Sequence, residues 1–546
     1  MKSAAAVRGD ATLMRAEAGG GLVAGRLRAA TLHALHRIEA GFDRAFGAAA
    51  NPWRHLGALG FFLFWIAAAT GIYLYVFFDT SVRGAYESVE YLTRGQWYAG
   101  GVMRSLHRYA SDALVVVVVL HLAKEFVHGR YAGFRWFSWL TGVPLLWLMY
   151  ASGIGGYWLV WDRLAQYVAI ATTEWLDWLP LFAELLTRNF LTAAALSDRV
   201  FTLLIFLHIG IPLALLLGMF VHVQRVDHAD TVPSRALAWG TFAALLVLSL
   251  AKPAVSHPPA DLAQAPAPLE LDWFYLLFYP MLDRVSAGAL WALAGGVTLA
   301  LALLPWLTRS APTPVARVDL ANCNGCGRCF ADCPYAAVVM QPRAGARPGQ
   351  QHAVVIAGLC ASCGICAGAC PSSTPFRCNE QLVTGIDMPQ LPVNALRADL
   401  ERALARRDAA PRVIVFGCDC AADTRSVTGP GVTVLSLLCI GMLPPSFIEY
   451  ALRSGADGVL VTGCREADCA YRYGNVWTEQ RLNRRREPHL RPNVPHERLR
   501  VAGFGAGEET ALAHALAQFR AALATLPARV AIPPQRLRLR RDGTRG

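Results

Sequence analysis

Two stretches decide how this chain is read: RSLHRYASDALVVVVVLHLAKEF at residues 104–126 and VFTLLIFLHIGIPLALLLGMFVHV at residues 200–223. Each is almost continuously apolar and exceeds the roughly 20 residues that a helix needs to span hydrocarbon. Yet each carries two histidines, His107 and His121 in the first and His208 and His222 in the second, at the same interval of 14 residues. On an α-helix that interval is about 21 Å of rise and nearly four full turns, so both imidazoles of a stretch face one side. Ionisable residues inside a bilayer are costly and mark function. The plainer alternative, four histidines hydrogen-bonding across a bundle, does not account for one interval on two independent helices. Imidazole is an axial ligand of haem iron. The pattern therefore predicts two bis-histidine b-type haems, His107 with His208 and His121 with His222, one near each membrane face.

Composition agrees with a membrane part joined to something else. The 546 residues are 54% hydrophobic, with a mean hydropathy of +0.34, too apolar for a purely soluble protein and too long for one domain. Lys and Arg exceed Asp and Glu by 51 − 39 = 12. The basic residues gather at the N-terminus and in loops beside apolar segments, as in cytoplasmic flanks of membrane helices, which argues for lipid and against nucleic acid. The first thirty residues hold arginines but no continuous apolar core, so no cleaved signal peptide is expected. All 14 cysteines fall between Cys323 and Cys469, beyond the last apolar segment. Their spacing is that of metal ligands, which implies a reducing compartment.

Taken in order, residues 1–22 are small, polar and Gly-rich, and are expected to be disordered. Residues 23–47 read as an amphipathic helix, lying on the membrane surface or packing as a solvated helix. Six apolar segments follow, at 55–78, 104–127, 136–160, 200–223, 236–251 and 286–307. The short loops 128–135 and 224–235 are basic and the long loop 161–199 is acidic. The N-terminus, the short loops and residue 308 onward are therefore expected in the cytoplasm. Gly57 and Gly71 on the first segment, and Gly142 and Gly156 on the third, are also 14 apart. Glycine at each haem level lets a backbone approach the flat macrocycle.

Residues 24–308 resemble cytochrome b of the quinol-oxidising bc complexes, in helix lengths, histidine steps, paired glycines and the Arg104-Ser-Leu-His107 run. The resemblance implies that Arg104 contacts a haem propionate and that Lys124 stands where a second propionate-binding residue is found. Pro258 to Arg284 resembles the loop carrying the family's Pro-Glu-Trp-Tyr quinol-site motif. The matching run is Leu271-Asp272-Trp273-Phe274, which departs at three of four positions and puts Asp272 in the place of the glutamate. A histidine of the family's cytoplasmic-side quinone site corresponds, displaced by one residue, to His228, beside Asp227.

After a linker comes Cys323-Asn-Gly-Cys326-Gly-Arg-Cys329-Phe-Ala-Asp-Cys333-Pro334. It recurs 37 residues on as Cys360-Ala-Ser-Cys363-Gly-Ile-Cys366-Ala-Gly-Ala-Cys370-Pro371. This run is that of bacterial two-cluster ferredoxins, whose fourth cysteine ligates the other cluster. One [4Fe–4S] cluster would take Cys323, Cys326, Cys329 and Cys370, and the other Cys360, Cys363, Cys366 and Cys333. Zinc, the plainer occupant of clustered cysteines, does not explain two matched runs with trailing prolines. Cys378 is left over.

Arg412–Cys418, Val432–Cys439 and Gly458–Cys464 read as buried strands, and Ser446–Ser454 and Glu508–Leu523 as helices, which predicts a parallel sheet. Cys418, Cys439 and Cys464 end the strands, with Cys420 and Cys469 in loops beyond, where such sheets bind ligands. The segment 413–475 resembles the delta subunit of methyl-viologen-reducing hydrogenases. The residues that carry this are Phe416-Gly-Cys418, Cys439, the run Gly455-Ala-Asp-Gly-Val-Leu-Val-Thr-Gly-Cys464, and Asp468-Cys469 to Gly474-Asn475. The resemblance implies a [2Fe–2S] cluster on Cys418, Cys439, Cys464 and Cys469, with Cys420 a fifth candidate, and electron exchange with flavoproteins of the heterodisulfide reductase type.

The expected fold is thus an all-α membrane bundle of about six helices, a small α+β two-cluster ferredoxin domain and an α/β domain. The boundaries are 1–22, 23–308, 309–385, a linker at 386–410, 411–526 and a basic tail at 527–546. No Walker run or dinucleotide fingerprint appears, and Gly503-Phe-Gly505-Ala-Gly507 is too weak to count. A flavoprotein or NAD(P)H-oxidoreductase partner is therefore expected, in a larger complex in the bacterial cytoplasmic membrane with the iron–sulfur domains on the cytoplasmic side. The function expected is electron transfer between that partner and the quinone pool, with Asp227 and His228 at the cytoplasmic quinone site and Asp272 on the opposite face. The alternatives are a bc-type quinol oxidase working with a Rieske protein and cytochrome c, and a non-catalytic electron-carrying anchor.

Overall fold

The computed structural model describes residues 22–180, 191, 196–226, 229–264, 269–307, 314–345, 347, 349–376, 383–406, 410–465 and 469–527. The disorder expected before residue 22, the basic tail after 527, Asp227, His228 and Cys378 lie outside the described residues. The chain divides into two compact units, Arg26–Thr308 without 225–228, and Arg309 onward.

In the first unit all six apolar segments form helices, because in lipid a backbone must satisfy its own hydrogen bonds. In chain order its long helices are α1 Leu22–Phe46, α2 Leu56–Phe77, α3 Val102–Val127, α4 Trp136–Val160, α5 Arg163–Asp177, α6 Asp198–Val223, α7 Arg235–Ala251 and α8 Ala287–Leu307. Among the described residues four spans, α2, Gly133–Val160, α6 and α8, are long and apolar enough to cross a membrane, and α7 is shorter. Helix α3 is as long as α6 but carries Arg104, Arg108, Asp112, Lys124 and Glu125. It packs along α2, as α4 packs along α6. Leu63, Leu106, Leu114, Met149, Leu215 and Met219 join both pairs in one core. Ile72, Val76, Phe206, Leu217 and Phe220 point outward and are each more than 60% exposed, which suits a lipid-facing surface. Helix α1 is anchored: Asn51 Nδ2 donates to Glu39 O at 2.9 Å and to Asp43 Oδ1 at 2.8 Å, and Arg54 pairs with Asp43.

The second unit begins with two small antiparallel sheets. Strand β1 (Arg317–Val318) pairs with β4 (Ile386–Asp387), and β2 (Val338–Pro342) with β3 (Gln351–Val355). Each cysteine run turns into a short helix, Arg328–Ala331 or Ile365–Ala369, through a left-handed glycine, Gly327 (φ 74°) or Gly364 (φ 75°). Only glycine adopts that backbone freely, so the repeat is preserved in the turn as well as in the thiols. Beyond it, β5 (Val413–Cys418), β6 (Val432–Leu437), β7 (Gly458–Gly463) and β8 (Leu499–Gly503) form a parallel sheet in the order β6-β5-β7-β8. Strands β5 and β7 are buried throughout, as central parallel strands covered on both faces must be. Helices α9 (Val393–Ala405) and α10 (Pro445–Arg453) contribute to the core on one face, and α12 (Glu509–Ala524) to the other. Helix α11 (Gly474–Leu482) follows the cysteine-bearing loop.

Two expectations change. The stretch 386–410 contains β4, which pairs with β1 of the cysteine-rich part, and α9, whose Val393, Leu396 and Leu400 share a core with Phe416 and Phe447 of the sheet domain, so its described residues are built into both parts. Strand β8 is not among the three strands read from the sequence. It is an edge strand, half-exposed, so its sequence lacks the continuous apolar run of β5 and β7.

Candidate haem and iron–sulfur sites

The four histidines meet four glycines across the helix pairs. A Cβ placed on Gly71 would stand 3.0 Å from His107 Cε1, on Gly156 3.1 Å from His208 Cε1, on Gly142 3.2 Å from His222 Cε1 and on Gly57 3.7 Å from His121 Cε1. Each imidazole thus lies against a glycine of the neighbouring helix. His107 Nδ1 donates to the Ala67 carbonyl at 2.8 Å and His208 Nδ1 to the Ser152 carbonyl at 3.0 Å. In both cases the acceptor is four residues before the facing glycine. A carbonyl can only accept, so Nδ1 holds the proton and Nε2 is left with a free lone pair, the tautomer a metal ligand requires. Thr70 Oγ1 lies 3.3 Å from His107 Nδ1 and Thr141 Oγ1 3.2 Å from His222 Nδ1, each beside its glycine.

The His107 and His208 ring centres are 6.2 Å apart. Two metal–nitrogen bonds of about 2 Å and two half-rings of about 1 Å sum to nearly that span, so this pair fits an iron held between the two Nε2 atoms. His121 lies within electrostatic reach of His222.

The residues expected around the haems have definite partners. Arg104 bonds Thr93 and, at 2.9 Å, Ser256 Oγ, with Glu90 at 3.7 Å. Lys124 Nζ pairs with Glu39 Oε1 at 2.6 Å and donates to the Trp53 carbonyl at 2.8 Å, so in this structure its charge is answered by a side chain of α1. Asp272 is engaged at both oxygens. Oδ2 takes Arg108 at 2.9 Å and the Tyr157 hydroxyl, while Oδ1 takes the backbone N–H of Phe274 and of Tyr275, each at 3.0 Å.

In the second unit the eight ferredoxin-type thiols sort into the two crossed sets. Cys333, Cys360, Cys363 and Cys366 line one cavity. Burial, and then the neighbouring Cys370, Cys326 and Cys323, push the Cys329 thiol up to about 12. Burial likewise raises Cys363 and Cys366. The thiols are not drawn in to any single-ion position among the described residues. At the rim of the parallel sheet Cys418 Sγ lies 3.8 Å from Cys464 Sγ, and contacts of Cys418 with Cys439, Cys439 with Cys469, and Cys469 with Cys464 close a ring of four. Bonds from Cys439 and Cys464 hold Cys469 well below the usual thiol range. Cys420 is exposed; it bonds Cys418 and lies within electrostatic reach of Cys469. A Cβ on Gly474 would stand 2.1 Å from Cys439 Sγ, so the start of α11 must be glycine for the ring to form.

Residues 43–229 match the cytochrome b/b6/petB family, residues 322–374 the 4Fe-4S dicluster domain and residues 413–527 the delta subunit of methyl-viologen-reducing hydrogenase. The chain carries these three domains in series. Cytochrome b of Cyanidium caldarium is 25% identical over 281 residues, covering 46% of this chain and 73% of its own length. Cytochrome b of Rhodospirillum rubrum is 27% identical over 293 residues, covering 48% and 71%. Among solved structures, a chain of a hyperthermophilic respiratory complex III aligns at 19% identity and a TM-score of 0.38, covering 47% of this chain and 75% of its own. A cytochrome b domain implies haem and a dicluster domain implies [4Fe–4S] clusters, and a multi-pass membrane protein with an electron-transfer role follows.

Sequence reading missed the threonines, Glu39 and Asp332. The threonines left a signal, since Thr70-Gly71 and Thr141-Gly142 repeat the same dipeptide at the same place on two helices.

Proposed function

We propose that the chain is a membrane oxidoreductase subunit that passes electrons between a cytoplasmic flavoprotein and the quinone pool. The observation that carries this reading is the set of histidines backed by glycines, with His107 and His208 held in the ligand tautomer, on the same chain as three sets of converging thiols. His107 with His208, and His121 with His222, would hold two b-type haems. Cys323, Cys326, Cys329 and Cys370, and Cys360, Cys363, Cys366 and Cys333, would hold two [4Fe–4S] clusters. Cys418, Cys439, Cys464 and Cys469 would hold a [2Fe–2S] cluster, with Cys420 outside it. When bound, these groups supply one-electron carriers, while quinone is substrate and takes two electrons and two protons to become quinol.

The protein's own part is to bind, orient and deliver protons. Quinone would bind on the His121–His222 side, where Asp227 and His228 would relay cytoplasmic protons; a histidine of ordinary pKa, about 6.5, can do so at neutral pH. The engagement of both Asp272 oxygens supports this choice, because a carboxylate already bonded to Arg108 and Tyr157 is poorly disposed to take a quinol proton. The 13 described cysteines are all free thiols, which agrees with a cytoplasmic placement of the iron–sulfur domains.

The likeness to cytochrome b favours one competing reading, a quinol oxidase with Rieske and cytochrome c partners. The test is the chain purified from membranes with its bound proteins identified, and the variants Asp227→Ala with His228→Ala set against Asp272→Ala, assayed for haem-coupled quinone turnover at unchanged haem content. Loss in the first is expected. Loss in Asp272→Ala alone would move the chemistry to the other face and restore the Rieske-linked reading.

A further inference from the structure

Asp332 stands between Cys329 and Cys333, in the turn that joins the two ferredoxin thiol sets. Its carboxylate is 3% exposed, and Asp332 lines the cavity shared by Cys333, Cys360, Cys363 and Cys366. Two guanidiniums close on it, Arg481 on Oδ2 and Arg486 on Oδ1. Arg481, on α11 of the sheet domain, is 1% exposed. It also donates through Nη1 to the Gly441 carbonyl at 2.7 Å, in the loop that follows Cys439. That loop is packed tightly on the ferredoxin side. A Cβ on Gly368 would stand 2.3 Å from Gly441 O, and one on Gly441 2.9 Å from Ile365. Cys363 and Cys439 fall in one buried cluster with Ile365 and Trp477. Cys363 of the ferredoxin cavity and Cys439 of the four-membered ring are thereby packed together, and Arg481 ties the Asp332 side chain, beside Cys333, to the Gly441 carbonyl, two residues after Cys439.

A buried ion pair seldom adds stability over a well-packed apolar pair. Arg481 Nε, moreover, has no hydrogen-bond partner among the described residues. Stability alone therefore does not explain the charge. Its electrostatic effect does have an evident target. One carboxylate against two guanidiniums leaves one positive charge beside a buried cavity, and reducing a cluster there adds one electron. Uncompensated positive charge favours the reduced form and raises the potential, in proportion to how little water screens it.

We propose that Arg481 is a positioning residue that fixes the Cys333–Cys360–Cys363–Cys366 set against Cys439 and, through Asp332, raises the potential of the [4Fe–4S] cluster held there, making that cluster the one that exchanges electrons with the sheet domain. The exchange is of a single electron, with no bond made and no proton moved. The proposal rests on the ligand assignment given above.

The test uses the full chain in detergent, with iron and sulfide analysed before each electron paramagnetic resonance redox titration. In Arg481→Met one [4Fe–4S] cluster should become harder to reduce by at least tenfold in its one-electron equilibrium, about 59 mV. Its magnetic broadening against the [2Fe–2S] signal should weaken, and the other cluster and the haems should not move. Arg481→Lys should restore most of the potential. If Arg481→Met fails to hold iron, Arg486→Met carries the charge arm. Arg486 is 26% exposed, so the same cluster should shift in the same direction by less, with the broadening kept because the Gly441 bond survives. Unchanged potentials in these variants at full iron content would overturn the proposal. A wild-type chain without iron and sulfide would instead overturn the ligand assignment itself.

Discussion

The four glycines that face the histidines differ in how much room they leave, and the difference is measurable. Alanine at Gly71 puts a methyl 3.0 Å from His107 Cε1 and 3.3 Å from Nδ1, whereas alanine at Gly57 puts it 3.7 Å from His121 Cε1, an ordinary contact. His107 has little freedom to retreat, because its Nδ1 is bonded to the Ala67 carbonyl at 2.8 Å. Overpacking of this kind costs about 1–3 kcal/mol. The better helix propensity of alanine returns about 1 kcal/mol. The net for Gly71→Ala is then roughly 0–2 kcal/mol against the His107–His208 haem, up to about thirtyfold in affinity. Gly57→Ala should keep the propensity gain and lose little. Gly156→Ala and Gly142→Ala should fall between, in the order of their 3.1 and 3.2 Å contacts. Pyridine haemochrome analysis of chains purified after growth with limiting haem, with optical redox titration to tell the two haems apart, gives the answer. Loss of the His121–His222 haem in Gly57→Ala, with both haems kept in Gly71→Ala, would refute the argument that these glycines are spaced for the imidazoles.

Other outcomes follow from the same geometry. His121→Ala should lower the haem content from two to one per chain; retention of two would break the proposed pairing. Non-haem iron analysis after anaerobic purification should give about ten irons per chain, eight from two [4Fe–4S] clusters and two from a [2Fe–2S] cluster, with the haem iron counted apart, and zinc in their place would defeat that reading. Cys439→Ser should remove only the [2Fe–2S] signal, whereas Cys420→Ser should leave all signals in place. Lys124→Met should cost about 3–5 kcal/mol, because it strands a buried Glu39 carboxylate, 2% exposed; the double variant with Glu39→Met should recover most of the loss in a thermal melt, and no recovery would mean that the pair is not the cause.

The parts that were readable in advance are those governed by a period or a repeated motif. A membrane helix has one geometry, so equal intervals in His107/His121 and His208/His222 translate directly into equal facing positions. A ferredoxin run has one local turn, so the 37-residue repeat brings Cys333 into the cavity with Cys360, Cys363 and Cys366. Partners separated by long stretches of chain have no such signature. Glu39 and Lys124 are 85 residues apart and Asp332 and Arg481 are 149 apart. Nothing in the local pattern of either pair announces the other. Lys124 shows the consequence, since a role inferred from position alone overlooks an acidic partner on α1. Strand β8 escaped for a different reason: as an edge strand it buries only part of its surface, so it needs no apolar run.

In none of the three domains does one contiguous segment hold a complete site. In the cytochrome b domain His107 comes from α3 and His208 from α6, and each is backed by a glycine and a carbonyl of a third or fourth helix. The pocket therefore does not exist until both helix pairs have docked. In the dicluster domain each set takes three thiols from one run and the fourth from the other. In the sheet domain the ring draws on the ends of β5 and β7, the loop after β6 and the loop before α11. Because folding and cofactor binding are linked whenever a site is absent from the unfolded chain, this arrangement makes a half-assembled domain unable to retain its group. With the proposed one-electron carriers bound, such a chain would not hold an isolated, reactive centre before the residues that shield and orient it are in place.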